Sequence, residues 1–560
     1  MRQHTRKIGI VLALAAAFSL GALSPAAEER AGPRLFQDVF TLVAHRYVDS
    51  LDVAALYEKA ARGLIEQLED PYAAVYSPEE LEEFTVAHEG HYGGVGMMVE
   101  NQDGAAVVAR VFPNTPSEHA GVLVGDRIVS LDGQPTRGWE LSRVANGLRG
   151  EPGSEVEVQF IRPGADQPIV VTMVRAVIHV PAVPYSLLLD DGTGYIPLQQ
   201  FSETAADEVG DAVRRLIDEG ATGLVLDLRG NGGGIVDQAI AIAGLFLPPG
   251  TTIARQWERG AGEIVYRSHG TPIAPDIPLV VLIDQWSASA SEIVAGALQD
   301  HDRAVVVGTT SFGKGSVQSA FRLDGGYILK MTTGKWFTPS GRTIQRGAAA
   351  DGAARGEADR VAAGRDDRAA AGGDAAGAGP DADGSEDALR ANRPVYQSAG
   401  GRTIYGGGGI VPDLIVSPDT LSTAEQDFLR AVMPQSQEVY LTLFDYAYEL
   451  QGLVTRDFQV RPEWRDEFYR RLRDRGVEVD RETYDAARSY VDRLLEDRIA
   501  RFAFDDADAK RRAIGEDAPL RRALELLRGG PSLSDIFVRV DAEARGTSAR
   551  RPETRGEARP

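Results

Sequence analysis

The sequence predicts an α/β multidomain protein with a separate, mostly β domain, and three patterns support this prediction. From 185 to 346 and from 391 to 418, strand-like and helix-like segments alternate, which is typical of a layered α/β core. Between 90 and 178, short β-branched runs bounded by Gly, Pro and Asp indicate a small β domain. The regions 33 to 88 and 419 to 545 have the periodicity of amphipathic helices.

Three further segments do not fit these domains. The first 27 residues place basic residues before an apolar run and small residues, which is the layout of a secretory signal, with a membrane anchor as the alternative. Residues 347 to 390 contain only Val361 and Leu389 as large aliphatic residues, so we expect a disordered insertion, because little apolar surface is available to offset the ordering entropy. We expect a disordered, solvated tail from 546 to 560.

Charge and composition exclude several function classes. The 560-residue chain has a net charge of -22 and a pI near 4.9, which argues against binding nucleic acid or an anionic membrane surface through a basic field. The chain has no cysteine, so disulfides, a thiol nucleophile and cysteine metal sites are excluded. Because an exported chain of this kind cannot use disulfides, its stability has to come from packing.

The stretch GTTSFGKGS, from Gly308 to Ser316, resembles a phosphate-binding loop but departs from it in two ways. Gly315 stands where the magnesium-binding hydroxyl belongs, and the residues after it predict a strand, whereas a phosphate loop opens a helix. We therefore place nucleotide hydrolysis last among the function hypotheses and expect Lys314 to lie in a tight glycine turn.

An alternating run of serine and alanine suggests a use for that lysine. Ser287, Ser289 and Ser291 precede an apolar-periodic helix, and a lysine can activate a serine if burial lowers the pKa of its amine toward neutrality. The alternative is structural, since Ser289 and Glu292 have the spacing of a capping box. The residues alone leave both interpretations open.

A glycine run follows a predicted strand in LVLDLRGNGGGIVD. Gly230 to Gly234 present main-chain N–H groups at a helix start, which suits an anion or a developing oxyanion, while a tight strand-to-helix turn is the alternative. No G-x-S-x-G motif is present, and nothing marks any of the eight histidines as a catalytic base.

Together, SASASEI, FGKGSVQ, LDLRGNGGG, TPSGRTIQ and GIVPD resemble the motifs of the carboxyl-terminal processing, or tail-specific, serine proteases of peptidase family S41. The resemblance covers about residues 35 to 418 and implies a core similar to the crotonase and Clp protease folds. The insertion 347 to 390 and the helical C-terminal region depart from the usual pattern, and they leave regulation and assembly open.

The resemblance assigns roles to individual residues. It implies that Ser289 is the nucleophile, that Lys314 is the general base and that Gln318 orients the lysine. It places the oxyanion hole at the main-chain N–H groups of Ala290 and of one glycine among Gly232, Gly233 and Gly234. A Ser–Lys dyad of this kind requires neither a metal nor an organic cofactor.

The β domain at 90 to 178 resembles a PDZ domain. Gly94-Val95-Gly96 matches the carboxylate-binding loop, so the resemblance implies that a peptide C-terminus is captured as an added strand. A segment like LRGEPGS carries a sensing arginine in the family, which makes Arg149 a candidate regulatory residue. The alternative for Arg149 is an exposed side chain before a glycine turn.

These observations favour an exported serine endopeptidase, periplasmic or anchored to the outer face of the cytoplasmic membrane, that cleaves proteins near their free C-termini. A catalytically inactive PDZ scaffold and a crotonase-type enzyme acting on acyl thioesters are the alternatives. An adaptor or activator protein, a membrane tether and a homo-oligomer are open, and no nucleic-acid partner is expected.

Overall fold

The structure is a computed structural model of the chain. It describes residues 25 to 548 apart from 79, 82–89, 103, 163–164, 166, 347–392 and 529–531. The predicted secretory signal up to residue 24, the predicted insertion at 347–390 and the predicted tail beyond residue 548 lie outside the described residues. The chain is still helical at 546 to 548, where the sequence predicted a disordered tail.

The described residues form the following helices and strands. The helices are α1 Pro25–Arg46, α2 Val53–Glu66, α3 Pro116–His119, α4 Leu141–Leu148, α5 Ala205–Asp218, α6 Val236–Gly244, α7 Ala290–Asp300, α8 Thr423–Val432, α9 Ser436–Leu450, α10 Pro462–Asp474, α11 Arg481–Ala486, α12 Arg488–Ala503, α13 Asp506–Ala513, α14 Ala518–Arg528 and α15 Leu533–Ser548. The strands are β1 Ala74–Tyr76, β2 His91–Gly94, β3 Met97–Gln102, β4 Ala105–Val111, β5 Arg127–Leu131, β6 Gln134–Pro135, β7 Glu155–Ile161, β8 Ile169–Val174, β9 Ala176–His179, β10 Leu187–Leu188, β11 Thr193–Pro197, β12 Gly223–Asp227, β13 Thr252–Glu258, β14 Gly262–Arg267, β15 Leu279–Ile283, β16 Val305–Gly308, β17 Ser316–Arg322, β18 Ile328–Phe337, β19 Val395–Gln397, β20 Thr403–Tyr405 and β21 Leu414–Ile415.

The chain divides into two compact units, and the smaller one comprises the described residues up to Pro78 together with Ala320–Met331. Within this unit, α2 begins at an Asp52 cap, whose carboxylate accepts a hydrogen bond from the N–H of Ala55. Strand β1 pairs antiparallel with the first residues of β18, so that Ala74 lies opposite Lys330. The N-terminal helical region is therefore completed by a segment distant in sequence.

A six-stranded sheet forms the centre of the larger unit, in the order β10-β11-β12-β15-β16-β21. All neighbouring pairs are parallel except the edge pair of β10 and β11. Strands β11, β12 and β15 are buried along their whole length, as expected for a parallel sheet that is covered on both faces.

Alternate residues of these strands face two different hydrophobic clusters. Leu224 and Leu226 pack with helices α5, α6 and α7, whereas Val225 packs with helices α14 and α15. The last two helices of the C-terminal region, residues 419 to 548, therefore cover one face of the central sheet. Helices α8 to α13 bury a cluster of their own.

The predicted β domain has a five-strand path, β3-β4-β5-β7-β8, with β6 beside β5, around one hydrophobic cluster. Strand β3 is an edge strand, and helix α4 contacts it. Strands β2 and β9 pair with each other, and His91 lies opposite His179, so the domain begins and ends at neighbouring positions. This pairing fits a domain inserted into the chain.

The predicted fold class is confirmed, because a mixed α/β core, a mostly β domain and helical regions toward both ends of the chain are all present. None of the helices in the described part of the chain combines the length and the apolar character that a bilayer crossing requires.

Candidate active site

Three loops meet at the carboxyl edge of the central sheet, where open α/β sheets bind their ligands. The glycine loop, residues 229–234, follows β12, and the serine loop, residues 284–289, follows β15. The lysine loop, residues 309–315, follows β16. Asp284 joins two of them, because its Oδ1 accepts 3.0 Å hydrogen bonds from the N–H groups of Gly230 and Ser287.

Ser289 stands directly before helix α7 in a strained conformation. Its φ of 55° and ψ of -110° lie in a region that non-glycine residues rarely adopt, and its side chain is partly exposed. Such a conformation costs about 1 to 3 kcal/mol and persists only where the surrounding contacts enforce it. The position at the N-terminus of a helix also favours negative charge on the serine oxygen.

The two flanking serines have structural roles. The Ser287 hydroxyl donates to the carbonyl of Leu228 at 2.8 Å, and the Ser291 hydroxyl donates to the carbonyl of Asn231 at 2.9 Å. Both side chains are buried and tie the serine loop to the glycine loop. Among the three serines, the strained backbone and the partial exposure therefore single out Ser289.

Glu292, in the first turn of α7, is the centre of a buried network. Its side chain is 0 % exposed, and its Oε2 accepts hydrogen bonds from the N–H of Ser289 at 2.8 Å and of Lys314 at 2.9 Å. Its Oε1 accepts from the Ser311 hydroxyl at 2.6 Å and from the N–H of Gly313 at 2.7 Å. Burial raises the pKa of the Glu292 carboxyl, and these four donors oppose that shift.

The sequence identified Glu292 only as half of a capping box, and that half is present. The larger role is that one oxygen atom contacts the main chain of both Ser289 and Lys314, so the carboxylate fixes the two residues side by side. A signal was available in the sequence, because the run of apolar and small residues from Ile293 to Leu298 predicts a buried helix, and a glutamate in such a helix needs several donors.

Gln318 lies on β17, two positions beyond Ser316. Its Nε2 donates to the Ser316 hydroxyl at 2.8 Å. The family resemblance implies a contact between Gln318 and Lys314, but no hydrogen bond joins these two residues in the described part of the chain. The role of Gln318 in orienting the lysine therefore stays a prediction. Because the residues after Lys314 form a strand and not a helix, the geometry of a phosphate-binding loop is absent here.

The glycine loop packs directly against the serine. A Cβ placed on Gly233 would lie 2.8 Å from the Ala288 carbonyl oxygen, 2.9 Å from Ser289 Cβ and 3.0 Å from the Ala290 nitrogen. The N–H of Gly233 donates to Asn231 Oδ1 at 2.9 Å. Of the four N–H groups that the resemblance assigns to the oxyanion hole, only that of Gly233 donates a hydrogen bond to another described residue, so those of Ala290, Gly232 and Gly234 are the candidates.

Asn231 is a buried residue that sequence reasoning did not select. Besides accepting from Gly233, it donates through Nδ2 to the Leu198 carbonyl at 2.7 Å. Its own carbonyl accepts from the N–H of Ala288 at 3.0 Å and from Ser291. Asn231 therefore holds the glycine loop and the serine loop at a fixed separation.

In the β domain, the loop Gly94-Val95-Gly96 lies before β3. Val95 is buried, its carbonyl accepts from both the N–H and the hydroxyl of Ser117, and Gly96 packs against Thr115. Arg149 is exposed at the end of α4, with its guanidinium 5.6 Å from the centre of the Tyr92 ring. Burial raises the pKa of the Tyr92 hydroxyl, and the charge of Arg149 opposes this. Arg149 thus lies near the predicted carboxylate loop.

The α/β core, the strained serine at a helix start and the carboxylate that joins it to a lysine define the class of a serine peptidase with an inserted β domain. Comparisons with known proteins agree. The family model Peptidase family S41 matches residues 192–353, and the PDZ domain model matches residues 93–173.

Three processing proteases are among the relatives and solved structures that this chain resembles. The carboxy-terminal-processing protease of Bartonella bacilliformis is 36% identical over 314 residues, which are 55% of this chain and 72% of the relative. The carboxy-terminal processing protease CtpA of Bacillus subtilis is 34% identical over 301 residues, 54% of this chain and 64% of the relative. A solved photosystem II D1 C-terminal processing protease is 28% identical, with a TM-score of 0.33, over 56% of this chain and 90% of that one. The chain belongs to peptidase family S41, the carboxy-terminal-processing serine proteases.

Proposed function

We propose that this protein is an exported serine endopeptidase that recognises the free C-termini of proteins through its PDZ domain and cleaves near them with Ser289 and Lys314. The observation that carries the proposal is the shared contact of Glu292 Oε2, which receives the main-chain N–H of both residues. If Ser289 served only as a helix cap, its N–H would not need to share a carboxylate oxygen with the N–H of Lys314.

In the proposed acylation step, the neutral amine of Lys314 accepts the proton of Ser289 Oγ while Oγ attacks the scissile carbonyl carbon. The carbonyl oxygen gains negative charge and is stabilised by the N–H of Ala290 and by an N–H of the glycine loop. The C–N bond then breaks, and the lysine returns the proton to the leaving amine. In deacylation, water gives a proton to Lys314 as its oxygen attacks the acyl carbon. The bond between that carbon and Ser289 Oγ then breaks, and Lys314 returns the proton to Oγ, which restores both side chains.

Recognition of the C-terminus is proposed to use the edge of the β domain. Strand β3 is paired with β4 on one side, so a substrate strand can add to its other side, next to helix α4. The loop before β3 would then face the terminal carboxylate with main-chain N–H groups of Gly94, Val95 and Gly96. A carboxylate in such a loop gains charge-assisted hydrogen bonds that an amide cannot replace.

Export is proposed from the N-terminal sequence. The basic residues, the apolar run and the small residues of the first 27 positions support secretion to the periplasm or retention at the outer face of the cytoplasmic membrane. Binding of an adaptor or activator protein and assembly into a homo-oligomer stay predictions.

The decisive experiment compares Ser289→Ala and Lys314→Ala with the unaltered full chain on an unstructured protein substrate, with the new termini mapped by mass spectrometry. Both variants are expected to lose turnover while keeping their circular dichroism spectra. Ser291→Ala and Lys335→Ala are the matched controls, because Ser291 supports the loop and Lys335 is exposed on β18. Both controls should retain measurable turnover. Substantial turnover by folded Ser289→Ala or Lys314→Ala would contradict the dyad.

A second arm tests recognition with peptides that differ only in a C-terminal acid or amide. The acid is expected to be cleaved with the lower KM. Equal KM values for the two peptides would contradict carboxylate capture without touching the dyad.

A further inference from the structure

The C-terminal helical region reaches the glycine loop through an acidic residue at the start of α14, Asp517, whose side chain is 12 % exposed. We propose that Asp517 is a positioning residue of the active site, which holds Arg229 and thereby keeps the glycine loop in the conformation needed for oxyanion stabilisation. This inference rests on the proposed peptidase function. Asp517 lies outside the residues that either family model matches, so the role belongs to this chain's own C-terminal region.

Arg229 lies between two carboxylates. Its Nη1 and Nη2 donate to the two carboxylate oxygens of Asp517 at 2.7 and 2.8 Å, a bidentate contact. On the other side, its Nε and Nη2 donate to Asp227 at 2.9 and 2.6 Å. A planar guanidinium held at both edges by carboxylates has little rotational freedom.

The surrounding groups balance the charge of this cluster. Asp517 also accepts from Lys510 Nζ at 2.7 Å, and Asp227 accepts from the Tyr195 hydroxyl at 2.7 Å. Two carboxylates therefore face two cations and one phenol. Although burial opposes it, the contacts with Arg229 and Lys510 hold the pKa of Asp517 well below its usual range, so this carboxylate stays ionised across the working pH range.

Only a few contacts along the glycine loop separate Arg229 from the proposed reacting atoms. Arg229 is the first residue of the glycine loop, and the next N–H, of Gly230, is fixed on Asp284 of the serine loop. Farther along the loop, Gly233 packs against Ser289 and Ala290. Gly230, Gly233 and Gly234 have φ values of 70°, 101° and 144°. Because glycine backbone is flexible, the conformation of this loop has to be held by contacts with residues outside it.

Asp517 is also the N-terminal cap of helix α14, so a substitution that keeps the cap can isolate its contact with Arg229. Its Oδ1 accepts from the N–H of Leu520 at 3.1 Å and so caps α14. Asparagine caps helices about as well as aspartate. Asp517→Asn therefore keeps the cap while removing the charge that faces Arg229.

The experiment uses the full chain and measures kcat, KM and inhibition by a peptide aldehyde, which forms a tetrahedral adduct with the serine. Asp517→Asn is expected to lower kcat about tenfold, less than the 10²-fold or more that accompanies outright loss of an oxyanion donor. KM should change less than about twofold, and the aldehyde should bind about tenfold more weakly. The matched control is Asp419→Asn, because Asp419 holds Arg521 of the same helix α14 and does not touch the glycine loop.

A double-mutant cycle tests whether Asp517 acts through Arg229. Arg229→Lys keeps a positive charge but cannot bridge both carboxylates, and it is expected to lose as much aldehyde affinity as Asp517→Asn. The double variant should lose no more than either single variant. Additive losses, or a folded Asp517→Asn with unchanged kcat and aldehyde affinity, would overturn the proposal. If Asp517→Asn does not fold, Arg229→Lys is measured alone, and unchanged aldehyde affinity in that variant would overturn the proposal. Residual turnover of Ser289→Ala would instead contradict the peptidase mechanism, which separates the two failures.

Discussion

The main-chain N–H of Lys314 donates a 2.9 Å hydrogen bond to Oε2 of Glu292. The same oxygen accepts the N–H of Ser289, so a displacement of this carboxylate moves both members of the proposed dyad. Hydrogen bonds to a buried carboxylate are charge-assisted and stronger than neutral ones. The main-chain positions of the proposed nucleophile and the proposed base are thus held by a residue that has no part in the proposed proton transfer.

Glu292→Gln should separate this positioning role from simple packing. The glutamine has the same shape, but its Nε2 is a donor where the carboxylate has an acceptor. In one orientation of the amide, Nε2 faces two N–H groups, and in the other it faces a hydroxyl and an N–H. We expect kcat to fall at least about tenfold and the free energy of unfolding to fall by about 2 kcal/mol. Kinetics and urea denaturation measure both. The control is Glu263→Gln, whose carboxylate is exposed and paired with Arg255. A folded Glu292→Gln variant with normal kcat would contradict the role.

Gly233→Ala should damage catalysis through contact. The new Cβ would lie within 3.0 Å of three atoms of the serine segment, at a φ of 101°. Gly230→Ala is the matched control, because its φ is 70° and a Cβ there meets nothing within 4 Å. Both variants should lose about 1 kcal/mol of stability to backbone strain. Only Gly233→Ala is expected to lose about a hundredfold in kcat, and equal kcat values in the two variants would disprove the close approach.

Gly96→Ala should affect recognition of the substrate terminus. A Cβ at Gly96 would lie 2.3 Å from Thr115 Cβ, so the predicted carboxylate loop would have to move. We expect the KM advantage of an acid terminus over an amide to disappear, with kcat on a long unstructured protein little changed. Gly138→Ala is the control, since its φ is 79° and nothing lies within 4 Å of the added atom. Preserved acid preference in Gly96→Ala would contradict this placement of the loop.

The stability contributed by Asp517 should depend on pH in a defined direction. Its pKa is lower in the folded state than the value of about 3.9 expected when unfolded. A depressed acid pKa contributes stability above the unfolded pKa, and this contribution is lost as pH falls toward the folded pKa. Asp517→Asn should therefore lower the urea midpoint at pH 7 and have a smaller effect near pH 3. A difference that grows on acidification would refute the assignment.

Much of the core could be predicted because its signals are local. The apolar strands before LRGNGG and SASAS could be recognised from the sequence, and the strand after Lys314 could be recognised from the residues of VQSAFRL. The alternation of Ser287, Ser289 and Ser291 gave no means of choosing among them without the family resemblance. The distinction lies in the φ of Ser289 and in the two carbonyls that its neighbours reach, which only the tertiary structure determines.

Long-range contacts were beyond sequence reasoning. Arg229 and Asp517 are 288 positions apart in the chain, and no periodicity relates them. The packing of α14 and α15 on the central sheet was missed for the same reason, because amphipathic helices reveal an apolar face but not the surface that it covers. The role of Asn231 could not be predicted, because an asparagine beside glycines is typical of any turn.

Helix α13 carries Asp506 at its start and Lys510 one turn later. Asp506 pairs with Arg110 of the β domain at 2.5 Å, and Lys510 pairs with Asp517. Each residue added to a helix rotates the remainder of that helix by about 100°. An insertion or deletion of a single residue between Asp506 and Lys510 would therefore turn one side chain away from its partner. Lineages that carry this arrangement should tolerate substitutions along α13 far more readily than changes in its length.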